Sequence, residues 1–159
     1  MPSIPRKRAL LVFESSSGLS VYKPCFTKGL AMNILVVDDE VMMLESIKIG
    51  LISKGYNVIG FNNGQQVLEY LTGDEHGIDL VITDYLMPII NGMDLLLAIR
   101  QRHQTLPVLI MTAYADTGLV LEAFKNGCNG FVEKPFSREQ LINEINIIER
   151  RLMKSPLDR

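Results

Sequence analysis

The chain has 159 residues, enough for one domain with a sizeable core, and its 47% hydrophobic and 21% charged content excludes a disordered polymer. The formal charge of −2 is unevenly spread: residues 1–31 carry five basic side chains against Glu14 alone, leaving 11 basic and 17 acidic residues for the rest. An acidic globular part lacks the phosphate-neutralising surface of a general nucleic-acid binder.

Cys25 and Cys128 stand in no Cys-x-x-Cys or Cys/His spacing, which argues against a disulfide framework or zinc site and for a reducing compartment. Arg6-Lys7-Arg8 followed by Ala9-Leu10-Leu11-Val12-Phe13 imitates the start of a signal peptide. Its apolar run is shorter than the roughly 7–15 residues such a region needs. Nothing approaches the ~20 apolar residues of a membrane span. The expected location is the cytoplasm, with no membrane partner.

Residues 1–31 hold Pro2, Pro5, Pro24 and the Ser15-Ser16-Ser17-Gly18 cluster without a sustained period. They read as a flexible basic N-terminal extension, or as text upstream of a natural start at Met32; a basic arm that touches a partner is the sharper alternative. From Met32 the text alternates. Asn33–Val37 is an apolar strand, and Val41–Ser53 places Leu44, Ile47 and Leu51 at helical spacing before Gly55. Asn57–Phe61 is a second strand and Gln65–Leu71 a short helix. Asp79–Thr83, Pro107–Thr112 and Gly130–Glu133 are further strands, separated by helices at Met93–Arg102 and Thr117–Asn126. Ser137 caps a last helix, with Gln140 completing a capping box. The domain is expected over 32–153, with a tail at 154–159. On the last helix, Leu141, Ile145, Ile148 and Leu152 form one core stripe, and Ile142 and Ile147 fall outside it.

Five strand–helix repeats imply an α/β fold with a parallel sheet covered on both faces. In a doubly wound sheet, functional groups gather beyond the carboxyl ends of the strands. Those ends carry Asp38-Asp39, Asp84, Thr112 and Lys134. Carboxylates crowded into one site raise one another's pKa, and a hard divalent cation removes the conflict. The acidic cluster "VDDE" at the mouth of a buried strand therefore suits Mg²⁺. A metal beside a further carboxylate, a hydroxyl and an ammonium suggests phosphoryl transfer, with Asp84 as nucleophile, Lys134 as point charge and Thr112 as hydrogen-bond donor.

Taken singly, these residues have ordinary readings: Asp39 as a helix N-cap, Asp84 as a turn residue, Phe131 as core. Their joint placement at strand ends favours a site. His76 and His103 lie in polar text with no ligand spacing and read as solvated surface; Met42-Met43 reads as gap-filling core.

The segments "ILVVDDE", "DLVITDYLMP", "ING", "LPVLIMTAY" and "FVEKPF", in this order, resemble the receiver domain of the response-regulator family, the phosphoacceptor module of two-component signalling. The resemblance covers about Met32 to Leu152. It implies a flavodoxin-like (βα)5 sheet in strand order 2-1-3-4-5. It also implies that Asp84 accepts a phosphoryl group from a sensor histidine kinase or histidine phosphotransfer protein. Mg²⁺ would be held by Asp38, Asp39, Asp84 and the backbone carbonyl of Leu86. Thr112 and Phe131 match the switch pair, Lys134 the phosphoryl contact, and Lys134-Pro135 a cis peptide bond. The change would pass to an output protein, not identified by the sequence, through the surface of the fourth helix, fifth strand and fifth helix. That surface leaves room for a phosphorylation-dependent homodimer.

A competing reading is a small Mg²⁺-dependent aspartyl phosphohydrolase, which commonly has Asp-x-Asp on its first strand where this chain has adjacent acids. A phosphorylation-independent scaffold is a third reading, disfavoured by the intact site. The expectation is a signalling phosphoacceptor and not a turnover enzyme, acting alone or as a piece of a larger regulator. Leu86 and Tyr114, each two positions beyond a site residue, are expected to hinder water and prolong the phosphoform.

Overall fold

The computed structural model describes residues 9–14, 20–25, 31–73 and 76–154; for the first two stretches only the backbone is considered. There β1 (Ala9–Glu14) and β2 (Ser20–Cys25) pair antiparallel as a two-stranded sheet. The sequence reading assigned no element to this stretch. Its expectation of a flexible arm over 1–31, and of a tail over 154–159, falls largely outside the described residues.

The remaining elements are β3 (Asn33–Val37), α1 (Val41–Ile52), β4 (Asn57–Phe61), α2 (Gly64–Tyr70), β5 (Leu80–Asp84), α3 (Gly92–Arg102), β6 (Val108–Thr112), α4 (Thr117–Lys125), β7 (Gly130–Glu133) and α5 (Arg138–Met153). The five strands β3–β7 form one parallel sheet in the order β4-β3-β5-β6-β7, the 2-1-3-4-5 order expected. The three inner strands β3, β5 and β6 are buried at every position, which explains the apolar runs at residues 34–37, 80–82 and 108–111 within them.

Two apolar layers cover the sheet. On one face Leu44, Ile47 and Leu51 of α1 and Leu141, Ile145 and Ile148 of α5 pack against Ile34, Val36, Leu80, Ile82 and Met111. On the other, Val67 of α2, Leu95, Leu96 and Ile99 of α3 and Ala123 of α4 pack against Leu35, Val37, Val81, Val108 and Ile110. Gly55 and Gly127, which follow the ends of α1 and α4, adopt φ of +92° and +91°, the left-handed conformation that ends a helix most readily with glycine. The Ser137–Gln140 capping box forms as expected.

Some expectations need correction. β5 starts one residue late and ends at Asp84, because Asp79 serves the strand entrance: its Oδ2 accepts the Asn33 N–H at 2.8 Å. Leu152 is half exposed although placed in the core stripe. A 16-residue helix is about 24 Å long and outruns a five-residue strand. Ile142 packs at the flank of the core, while Ile147 is exposed. Met42 is 80% exposed and no core residue, since the buried face of α1 runs through Leu44, Ile47 and Leu51.

The histidines are engaged rather than merely solvated. His103 Nε2 lies 2.7 Å from the Leu71 carbonyl, which only accepts, so this nitrogen donates. His76 Nδ1 accepts the Ile78 N–H at 3.0 Å, and the two rings meet edge to face at 4.8 Å. Among the described residues, no helix is long and apolar enough to cross a membrane.

Candidate functional site

The carboxyl edge of the sheet gathers the chemistry. Asp38 follows the last residue of β3, Asp84 ends β5, Thr112 ends β6, and Lys134 follows β7. Lys134 Nζ stands 3.0 Å from Asp38 Oδ2 and 3.1 Å from Asp84 Oδ1, bridging both carboxylates. Asp38 is wholly buried, and its Oδ1 accepts the Glu40 N–H at 2.9 Å. Asp39 is exposed at the rim and does not cap α1; the N-cap is Glu40, without a side-chain capping bond.

Burial pushes the Asp84 carboxyl above its ordinary value; Lys134 and the Tyr85 N–H pull it back, and Asp38 adds to the rise. Burial alone would lower Lys134, but Asp38 and Asp84 outweigh it and hold the ammonium above its usual range. The site keeps both forms of its central pair in tension: a buried acid reluctant to ionise and a cation that rewards it when it does.

Asp38, Asp39 and Asp84 each offer one carboxylate oxygen, all within 4.8 Å of one another. Hard oxygen donors from three acids, one of them open to solvent, fit a Mg²⁺ ion that retains several waters. Leu86 lies on the loop between β5 and α3 with its side chain 53% exposed.

Thr112 is buried, and its Oγ1 accepts the Tyr114 N–H at 3.1 Å, leaving the hydroxyl hydrogen free to donate. The Lys134 N–H donates to the Thr112 carbonyl at 2.7 Å, so the two side chains rise from adjacent, cross-linked strand ends. Phe131 sits on β7 opposite Ile110, half buried against the face covered by α2, α3 and α4. The Lys134–Pro135 bond is cis.

Two neighbours of the site were not singled out by sequence reasoning. Gly92 belongs to the quoted "ING" text but was given no role; a Cβ there would lie 2.5 Å from the Asp84 carbonyl oxygen and 2.8 Å from Tyr85 Cα. Thr83, inside "VITD", buries a hydroxyl that donates to the same Asp84 oxygen at 2.9 Å. Neither has a signal in spacing, because both act on backbone atoms.

A five-stranded parallel sheet with acids, a hydroxyl and a lysine at its carboxyl edge makes this an open α/β domain with its chemistry gathered at the strand ends. The comparisons name the family. Residues 34–146 match the response regulator receiver domain, and the chain belongs to that family. Its role as a signalling phosphoacceptor, homologous to response regulators, follows from this membership.

The chain is 37% identical over 115 residues to the transcriptional regulatory protein FixJ of Bradyrhizobium diazoefficiens, covering 72% of this chain and 54% of that protein. It is 37% identical over 118 residues to the transcriptional regulatory protein CpxR of Escherichia coli K12, covering 74% and 49%. The chain thus spans about half the length of these curated relatives. A solved receiver domain protein from Clostridium thermocellum superposes with a TM-score of 0.70 at 33% identity, over 77% of this chain and 98% of that one.

Proposed function

We propose that Asp84 is the residue that takes up the phosphoryl group. The observation that carries this reading is the Lys134 ammonium bridging Asp38 and Asp84, which fixes one Asp84 oxygen beside a positive charge. An oxygen of the ionised Asp84 forms the bond to phosphorus as the bond to the donor's leaving group breaks. For a phosphohistidine donor, that leaving group is the imidazole nitrogen, which keeps the bonding pair. Lys134 then neutralises a phosphoryl oxygen and Thr112 Oγ1–H donates to another.

Asp38, Asp39, Asp84 and the Leu86 carbonyl would hold Mg²⁺, which when bound neutralises charge on the transferred group. The displacement of the Thr112 hydroxyl toward the new group would draw Phe131 inward, biasing a two-state surface. That surface is α4–β7–α5. Exposed Leu121 and Phe124 on α4 and Ile147 on α5 support contact with an output protein or, on phosphorylation, a second copy of the chain. The donor is a sensor histidine kinase or phosphotransfer protein, and direct nucleic-acid contact is not expected of the acidic domain. A cytoplasmic location goes with this reading. Mg²⁺-dependent labelling from acetyl phosphate tests it: wild type should take up one alkali-labile phosphoryl group per chain, and Asp84→Asn none. Labelling of Asp84→Asn would overturn the assignment, and steady turnover of small phosphoesters would make the protein an enzyme instead.

A further inference from the structure

The residue before Asp84 buries a hydroxyl within an apolar layer. Thr83 is fully buried, and its strand partners are Val37 of β3 and Ile110 of β6, both in the apolar layer beneath α2 and α3. Valine has nearly the same shape and would complete that layer without burying a hydroxyl. The hydroxyl has one partner, the carbonyl oxygen of Asp84, at 2.9 Å.

That carbonyl has a reason to need it. The β3–β5 ladder stops at Val37 opposite Thr83, one residue short of Asp84, whereas the β5–β6 ladder continues to Asp84 opposite Met111. The Asp84–Tyr85 peptide is therefore anchored on its β6 side, where the Tyr85 N–H donates to Met111 O at 2.8 Å, while the β3 ladder ends before it reaches the Asp84 carbonyl. The first residue of α3, Gly92, approaches the same oxygen so closely that a Cβ there would lie at 2.5 Å. Its N–H closes the loop onto Tyr85 O at 2.8 Å.

From this placement we infer that Thr83 is a positioning residue for phosphoryl uptake: its hydroxyl holds the Asp84 peptide and thereby aims the Asp84 carboxylate at Lys134. The inference rests on the assignment of Asp84 as acceptor. The hydroxyl touches neither Lys134 nor the carboxylate; it fixes the peptide from which the carboxylate projects. Loss of the bond leaves that peptide held through the Tyr85 N–H but no longer through its carbonyl, and small misplacements of a nucleophile are costly in rate. Folding should depend on it far less, since Val fills the same space.

The experiment compares Thr83→Val, Thr83→Ser and Thr83→Ala. Ser and Ala both lack the methyl group and differ in the hydroxyl, so this pair remains informative should Val fail to fold. The readouts are the maximal labelling rate at saturating acetyl phosphate and Mg²⁺, the acetyl phosphate KM, and the ¹³C shift of the Asp84 carbonyl without Mg²⁺. The Val and Ala variants should lose about tenfold in maximal rate with little change in KM. Ser should stay near wild type. The Asp84 carbonyl resonance should move upfield in Val and Ala, but not in Ser.

Equal rates in Ser and Ala, or an unmoved carbonyl resonance in Val and Ala, would overturn the role of Thr83. Failure of the acceptor assignment shows itself differently, as undiminished labelling of Asp84→Asn, while the carbonyl shift still decides whether the Thr83 bond holds that peptide.

Discussion

Lys134 Nζ lies 3.0 Å from Asp38 Oδ2, a contact closed across 96 positions of chain. No local preference brings these side chains together. The right-handed crossovers of a doubly wound sheet place β3 and β7 so that both strand ends open on one edge. The ammonium lies between two of the three acids proposed to hold Mg²⁺, so on that reading it would compete with the metal before transfer and assist the phosphoryl group afterwards.

Replacing Lys134 with Met keeps most of the apolar stem and removes the charge. Mg²⁺ should then bind several-fold more tightly, because a competitor for Asp38 and Asp84 is gone. Labelling by acetyl phosphate should slow by about 10²-fold, the usual cost of losing one charged contact to a transferring group. Calorimetric titration and initial rates separate the two effects. If both quantities stayed at wild-type values, Lys134 would have no part in the site.

The raised pKa of Asp84 gives a linked pair of pH effects. A folded-state pKa above the unfolded one means the folded chain is favoured below the unfolded value and loses that advantage as pH rises through the folded value. In Mg²⁺-free buffer at neutral pH, Asp84→Asn should therefore unfold at higher temperature than wild type. The gap should close as pH falls below the carboxylate range. Bound Mg²⁺ favours the ionised carboxylate, so the fall in uptake rate on acidification should move to lower pH as Mg²⁺ is raised. Thermal melts and rate profiles over the same pH series check both halves.

Arg100 has an unusual role for a half-buried cation, because among the described residues no carboxylate pairs with it. Its Nε and Nη2 donate to Gly127 O at 3.1 and 2.6 Å, its Nη1 to His103 O and Leu106 O at 3.1 and 2.6 Å, and Nη2 also to Asn129 Oδ1 at 2.8 Å. One side chain thus ties the end of α3 to the entrance of β6 and the loop after α4. Arg100→Met strands these acceptors and should cost about 3 kcal/mol of stability. Urea unfolding reads this as a lower midpoint, with phosphoryl uptake retained below the transition.

What the sequence revealed, and what it withheld, follows from how each feature is encoded. The inner strands announced themselves because burial on both faces demands unbroken apolar text, as in Ile34-Leu35-Val36-Val37. The acids and Lys134 were visible because strand ends must carry polar chemistry for a site to exist there. The Arg100 hub left no pattern: its partners are carbonyl oxygens, which every residue has. Thr83 and Gly92 are silent for the same reason. Leu152 was misplaced because helical period describes a face and says nothing of where the sheet beneath it ends.

Leu86 and Tyr114 stand two positions beyond Asp84 and Thr112, on the loops after β5 and β6, and are 53% and 70% exposed. Bulky side chains at these two positions would hinder a water approaching an aspartyl phosphate on Asp84. The phosphoform should outlast the seconds scale, and Leu86→Ala and Tyr114→Ala should each shorten its lifetime. Decay of labelled protein after donor removal measures this. Complete loss of wild-type label within seconds would show that these side chains do not shield the group.

Gly92 supplies the most severe test of the architecture around Asp84. The first residue of α3 packs its Cα against the Asp84–Tyr85 peptide, and a methyl group there would meet the Asp84 oxygen at 2.5 Å and Tyr85 Cα at 2.8 Å. Those atoms are backbone and cannot swing aside as a flexible side chain would. Either α3 withdraws or the Asp84 peptide turns. Gly92→Ala should lose about 1–3 kcal/mol, the range for overpacking a tight site. It should also lose labelling rate beyond what partial unfolding explains, because the Asp84 peptide is one of the two groups that must move. Urea titration with rates measured well below the midpoint separates the losses. A fully active, stable Gly92→Ala protein would mean that the α3 entrance yields freely, and that Asp84 is aimed from β6 alone.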